Sequence, residues 1–506
     1  MLKKIEFDNF KSFEGKETIN LEDLTTIIGL NSSGKTNILE GISILSNISS
    51  GVDITAYFNK YSKNSKESIR GGALGCCRAR KKTFGLGCTI EKNNGHLLVY
   101  YLKIDASNED RVYVDEENLY EFNKDGRRTT LFKTIKKEKL KGDIIVEYNN
   151  KKRGINPRIQ CDRSYSILSQ LKENTLRNYT LAEIQILLDN STSDFKEITT
   201  LEELNTNENS ILEDIKLVQK HIGNVRTVEP IPDKIREYVS RESTDLYSDA
   251  SNLSAVLHTI IQRYQDDQKR LIRAQQHLDE LGADSPKHIW KIRTERVNDL
   301  KIRYKISKEK YDSLLSIIQL LPEYQIEGLD TLVTPAPLRD VMFTCIEKGN
   351  DTNSNFKIPA SLLSDGTLKT IAIATALVTY PEKSIILLDE FDSGTHHNKS
   401  VALLKELYRI SKKRNIILVV TTHNTTLLNN YTNHFLQGTS VVYRDKKSYS
   451  SKIINFYNLY DVEKLLARGG LGDAARKDGL TKYLHPEPKK DISLPDWLLE
   501  GSKEHE

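Results

Sequence analysis

The stretch that most restricts this chain is Gly29-Leu30-Asn31-Ser32-Ser33-Gly34-Lys35-Thr36, a complete GxxxxGK[ST] pattern. An alternating apolar run (Leu24, Ile27, Ile28) precedes it, and Asn37-Ile38-Leu39-Glu40-Gly41-Ile42 follows with helical spacing. Strand, glycine loop and helix in that order are the context a phosphate cradle requires. Successive backbone N–H groups and a helix N-terminus converge on anionic oxygens, so negative charge is held without a dedicated cationic pocket. Asn31, Ser32, Ser33, Gly34, Lys35, Thr36 and Asn37 are the expected lining. Lys35 is expected at the β- and γ-phosphates of a nucleoside triphosphate, and the Thr36 hydroxyl on Mg²⁺. The bland alternative is an ordinary glycine turn.

At 506 residues the chain is long for a single core, which favours two or three compact units. A net charge of +4 is small for that length, so any nucleic-acid contact must come from local basic patches. The five cysteines form no CxxC pair, which fits a reducing, cytoplasmic setting. The N-terminus lacks the apolar core of a signal peptide, and no run approaches the ~18–20 apolar residues of a membrane span.

Residues 1–28 read as two short strands, 84–105 as a β-hairpin turning at Asn93-Asn94-Gly95, and 111–114 and 144–148 as further strands. Residues 181–221 turn helical and charged. Leu257, Tyr264, Leu271 and Leu278 then recur at seven, with Asp267 breaking the interleaved set. After Gly282-Ala283-Asp284-Ser285-Pro286, Val297, Tyr304, Tyr311 and Ile318 repeat the pattern, with Ser307 as the exception. Two heptad runs around a Gly/Pro break predict a short antiparallel coiled-coil hairpin, each arm about 42 Å long at ~1.5 Å per residue. Two amphipathic helices packed flat on a domain are the alternative.

Ile385-Ile386-Leu387-Leu388-Asp389-Glu390 is an apolar strand ending in two carboxylates, the Walker B pattern, and 415–420 is a second apolar strand ending at Thr421-Thr422-His423. Such strands alternating with helices predict a buried parallel sheet. Asp389 is the expected Mg²⁺ ligand beside Thr36. Glu390 is the expected general base that polarises the attacking water.

Leu363-Ser364-Asp365-Gly366-Thr367 opens a helix before this strand, and His423 closes the strand after it. Phosphate loop, Ser-x-Gly, Asp-Glu and His in that order resemble the ABC ATPases. The resemblance implies ATP as cofactor, buried between two protomers, with Ser364 and Gly366 contacting the γ-phosphate held by the other protomer and His423 as the switch histidine. Asp365 and Thr367 depart from the family's LSGGQ. Taken alone, Ser364 reads as a helix N-cap and His423 as a buried core histidine.

The opening Ile5-Glu6-Phe7-Asp8-Asn9-Phe10-Lys11-Ser12-Phe13 resembles the first strand of RecF, SMC and OLD-family ATPases, which implies that Lys11 lies near the nucleotide. Asp249-Ala250-Ser251-Asn252-Leu253 and the hairpin's place between phosphate loop and Ser364 are similar to that branch. No DxD pair of a Toprim nuclease follows His423. The pattern thus resembles stand-alone ATPase subunits of bacterial anti-phage systems, Septu (PtuA-like) or PARIS (AriA-like). That implies a homodimer or higher homo-oligomer gating a separate nuclease or toxin effector, with no membrane partner. A RecF-like ATPase that binds DNA itself is the second reading, and a nuclease with an unrecognised site the third.

The expected architecture is α/β, an ABC-type P-loop head with an antiparallel β layer and the inserted hairpin. Residues 1–180 form an N-terminal lobe, 181–250 a helical segment, 251–322 the hairpin, 323–460 a C-terminal lobe and 461–506 a tail. Arg70, Arg78, Arg80, Lys81 and Lys82 cluster, as do 133–141 and 151–153, each either a phosphate surface or a solvated face. Gln160 and Gln170 are both candidates to complete the Mg²⁺ ligands in the ABC manner. His396-His397 are expected near a partner protomer, and Trp497-Leu498-Leu499 as a docking peptide.

Overall fold

The computed structural model describes residues 1–484 apart from 60–68, 109, 136–141, 150–155, 172–200, 242–244, 282–284, 322–324, 350–354, 394–396, 468–470 and 476–479. The basic run at 151–153, His396, the 181–200 part of the helical segment and Trp497-Leu498-Leu499 lie outside the described residues.

Three sheets carry the fold. The first is antiparallel and eight-stranded, in the order β2-β1-β4-β5-β6-β7-β8-β9. Its strands are β1 (Leu2–Asp8), β2 (Lys16–Asn20), β4 (Thr83–Glu91), β5 (Leu97–Asp105), β6 (Tyr113–Phe122), β7 (Arg128–Ile135), β8 (Asp143–Tyr148) and β9 (Arg158–Asp162). Alternation along β5 and β8 buries every second residue, the signature of a sheet with one covered face.

The second sheet is six-stranded, in the order β10-β14-β15-β3-β16-β17. It comprises β3 (Leu24–Ile28), β10 (Val225–Val228), β14 (Ile385–Leu388), β15 (Ile417–Thr421), β16 (Thr439–Arg444) and β17 (Ser451–Asn455). All pairings are parallel except β16 with β17. β3, β14 and β15 are buried at every position, as strands covered on both faces must be. The third sheet, β11 (Ile326–Val333), β12 (Val341–Glu347) and β13 (Phe356–Pro359), is antiparallel.

The longer described helices are α1 (Lys35–Ser49), α2 (Leu201–Ile222), α3 (Leu253–Asp279), α4 (Lys287–Ile318), α5 (Asp365–Thr379) and α6 (His397–Lys413). α3 and α4 form the expected helical hairpin. Tyr264 stacks on Tyr311 at 4.7 Å and on Tyr304 at 5.9 Å, and Arg293 donates to the His277 carbonyl, which fixes the helices antiparallel. At the root Leu253, Leu257, Leu314 and Ile318 are fully buried, whereas Ile292 and Ile302, farther out, are about 60% exposed. The hairpin is therefore embedded at one end and projects at the other, which flat packing on a domain would not give. Its root is tied down by Leu329 N–H donating to Tyr311 Oη (3.0 Å), Ser316 Oγ to Glu406 Oε1 (2.6 Å), and the Lys413–Glu309 pair at 3.1 Å.

Three differences from the sequence reading stand out. The opening segment holds three strands, since β3 leaves the antiparallel layer for the parallel sheet. β7, β9, β10, β16, β17 and all three strands of the third sheet, β11, β12 and β13, carry no signal strong enough to be read in advance. Residues after 460, expected as a tail, contribute Leu465, Leu471 and Leu480 to a buried cluster with Ile28 and Val441, because β16 would otherwise leave that apolar face open.

Candidate functional site

The parallel sheet orders the site. β14, β15 and β3 are successive neighbours, so Asp389, Thr421 and the loop after Ile28 emerge side by side at one sheet edge. Thr36 Oγ1 donates to Asp389 Oδ2 at 3.1 Å, and Thr421 Oγ1 donates to Asp389 Oδ1. Glu390 follows with φ +45°, a left-handed conformation unusual for a non-glycine residue, and its N–H donates to Thr421 Oγ1 at 2.7 Å. His423 Nε2 lies 3.6 Å from Glu390 Oε1. Burial and the nearby Lys35 charge hold His423 below the usual histidine range, so the imidazole is neutral near pH 7.

The loop is drawn tight around its own backbone. Ser32 and Gly34 have φ +63° and +114°, conformations that turn successive N–H groups to one side. Lys35 Nζ donates to the Gly29 and Leu30 carbonyls, both at 3.0 Å, and burial lowers its pKa while Asp389 and Glu390 oppose that. The Ser33 hydroxyl is buried and has no partner among the described residues. Ser451 Oγ on β17 donates to the Ser33 carbonyl, Ser451 N–H to the Ser12 carbonyl (2.7 Å), and Asn37 Nδ2 to Ser12 Oγ (2.8 Å). A partly desolvated ammonium, an orphaned hydroxyl and converging N–H groups suit a polyphosphate. Thr36 and Asp389 offer hard oxygen donors of the kind Mg²⁺ takes.

A cleft of about 570 Å³ opens beside this edge, lined among others by Thr36, Glu40, Arg70, Glu229, Asp389 and Glu390. The expected pattern of the AAA ATPase domain family AAA_15 matches residues 1–428. The chain belongs to the AAA_15 family of AAA ATPase domains.

Among curated proteins none matches this AAA_15 chain by sequence. Among solved structures, it is similar to the Smc head domain of Pyrococcus furiosus with an extended coiled coil, bound to the C-terminal domain of ScpA. Identity there is 14% over 90% of this chain and 95% of that one, with a TM-score of 0.39. An Smc head bound to the C-terminal winged-helix domain of ScpA gives 13%, 90% and 96%, with 0.39. The SMC head domain from Thermotoga maritima gives 13%, 90% and 98%, with 0.34.

The AAA_15 chain brings Asn31–Asn37, Asp389, Glu390 and His423 together. Lys11 has φ +49° and pairs with Glu40 on α1 instead of pointing freely at the loop. Ser364 and Gly366 do not line the cleft. Ser364 caps α5, accepting from Thr367 N–H at 3.3 Å, and Asp365 pairs with Arg236 at 2.5 Å.

Neither glutamine candidate reaches the cleft. Gln160 on β9, the last strand of the antiparallel sheet, donates to Asp143 (2.6 Å), and Gln170 accepts from Asp162 N–H (2.9 Å). Glu229, just past β10, lines the cleft beside Asp389 in their stead. It was missed because β10 has only four residues. The basic cluster divides. Arg70 lines the cleft, whereas Arg78 donates to the Tyr449 carbonyl at 3.2 Å. Ser451 and Ser12, which close the loop, were also missed. Ser12 lies in the motif at 5–13, but nothing local marks Ser451. There is no helix among the described residues long and apolar enough to cross a membrane.

Proposed function

We propose that this AAA_15 protein is an SMC/RecF-like ABC-type ATPase that binds Mg·ATP between two copies of itself. The observation that carries the reading is the split site. The catalytic carboxylates and histidine stand beside the phosphate loop, while in the same chain Ser364 is taken up in capping α5 and Asp365 in pairing with Arg236. A partner copy's Ser364 and Gly366 would close the γ-phosphate side.

Backbone N–H groups of 31–36 and Lys35 hold the phosphates, and Lys11 stays with Glu40 at the flank of α1. Mg²⁺, when bound by Thr36 and Asp389, offsets charge on the transferred phosphoryl group. Glu390 orients and deprotonates water, and neutral His423, 3.6 Å away, steadies that carboxylate. The resemblance to anti-phage ATPase subunits supports a cytoplasmic, oligomeric ATPase whose nucleotide state gates a separate nuclease or toxin.

Glu390→Gln tests the core of this reading. It keeps the shape, removes the base, and is expected to bind ATP, turn it over at least a hundredfold more slowly, and accumulate a dimer on light scattering. Wild-type turnover, or a monomer at saturating ATP, would refute it. Pull-down with the tagged variant from the native host then separates effector from DNA. A stoichiometric small nuclease or toxin supports gating, and DNA alone supports the RecF-like alternative.

A further inference from the structure

The two heptad exceptions of the hairpin meet. Asp267 on α3 and Ser307 on α4 are 7% and 4% exposed and line one cleft of about 820 Å³ near the root. Ser307 Oγ is occupied by its own helix, donating to the Arg303 and Tyr304 carbonyls. Asp267 has no hydrogen-bond or ion-pair partner among the described residues. Its oxygens open on the cleft, and a hydrophobic residue there would continue the seam.

The cleft's rim is cationic. Arg263, Arg270, Arg303 and Lys310 line it together with one further carboxylate, Asp266, and none of the four cations pairs with a carboxylate among the described residues. Burial lowers the Lys310 pKa, the like charges of Arg414 and Arg263 add to that, and Glu382 opposes it. Residues 253–318 hold 13 Lys and Arg against nine Asp and Glu. Ile306, 55% exposed, supplies an apolar wall.

Inorganic phosphate would satisfy the cations but be repelled by Asp267. A duplex would cover the rim without reaching the floor. The complementary ligand carries several anionic charges, N–H donors and a flat apolar face in one compact molecule. We propose that the hairpin root binds a nucleotide, with its phosphates on Arg263, Arg270, Arg303 and Lys310, its base against Ile306, and a base amino group donating to Asp267. Guanidinium groups match phosphate oxygens bidentately, and a buried carboxylate discriminates strongly for a donor.

The test is calorimetric titration of ATP and of sodium pyrophosphate into the full chain and into Lys35→Ala. Two ATP per wild-type chain and one per Lys35→Ala chain are expected. In the Lys35→Ala background, Arg303→Glu should weaken ATP and pyrophosphate at least tenfold. Asp267→Asn should weaken ATP about tenfold and leave pyrophosphate unchanged, with circular dichroism confirming the fold of each. No ATP binding to Lys35→Ala, or binding indifferent to Arg303→Glu, would overturn the proposal. Preferential binding of duplex DNA that Asp267→Asn strengthens would overturn it too, making the rim a backbone contact. A failed phosphate-loop assignment reads differently, as equal stoichiometry in wild type and Lys35→Ala.

Discussion

Gly34→Ala adds one methyl group at the point where three segments close on the phosphate loop. Gly34 has φ +114°, and a Cβ there would stand 2.8 Å from Ser12 Oγ, 2.8 Å from Ser451 Oγ and 3.2 Å from Ser451 Cβ. Both hydroxyls are employed, Ser12 in accepting from Asn37 and Ser451 in holding the Ser33 carbonyl. A non-glycine residue in that backbone region costs ~1–3 kcal/mol, and each displaced hydrogen bond ~1 kcal/mol. A total of about 3 kcal/mol falls on the loop's binding shape, which corresponds to about two orders of magnitude in ATP affinity. The assay is equilibrium titration with ATP, alongside thermal melting to show that the sheets remain folded. Gly34→Ala with Ser451→Gly, which clears one side of the methyl group, should recover part of the loss. Wild-type affinity in Gly34→Ala would refute the steric argument, and no recovery in the double variant would refute the role given to Ser451.

Lys35→Ala removes the ammonium now held by two loop carbonyls and should weaken ATP at the phosphate loop at least a hundredfold. Tight ATP binding insensitive to both Lys35→Ala and Arg303→Glu would sink the assignment. A separate prediction concerns Glu117, which is fully buried and accepts from Tyr100 Oη (2.9 Å), Ser166 Oγ (2.8 Å) and the Ile167 and Leu168 N–H groups (both 2.7 Å). Burial outweighs these donors and pushes its pKa up to about 7. With the folded value raised, its contribution is fully present below the unfolded pKa near 4.5 and is lost as pH rises to 7, at ~1.4 kcal/mol per unit. The stability advantage of wild type over Glu117→Gln in urea should therefore shrink from pH 5 to pH 7. A gap that widens would contradict the assigned direction.

What was legible in the sequence is what short-range chemistry dictates. The loop at 29–36 and the carboxylates at 389–390 are written as contiguous patterns. The hairpin is written as a seven-residue repeat, down to its two exceptions. Placement decided by strand pairing was not legible. Gln160 looks as eligible as any glutamine until the antiparallel sheet carries β9 to its far edge, and Glu229 becomes visible only once β10 pairs with β14. Lys11 stands in a recognisable motif, but its pairing with Glu40 depends on where α1 docks. The short strands β16 and β17 gain their stability from neighbours distant in sequence, which local propensity does not encode.

The Ser451–Ser33 hydrogen bond spans 418 positions. The loop motif is therefore synthesised long before the strand that closes over it. β3 also waits for both of its neighbours, β15 and β16, which lie beyond residue 416. The closed form of the loop is thus deferred until β15, β16 and β17 have been made. A fragment that stops short of β15 carries the motif without the strands and the hydrogen bond that shape the loop.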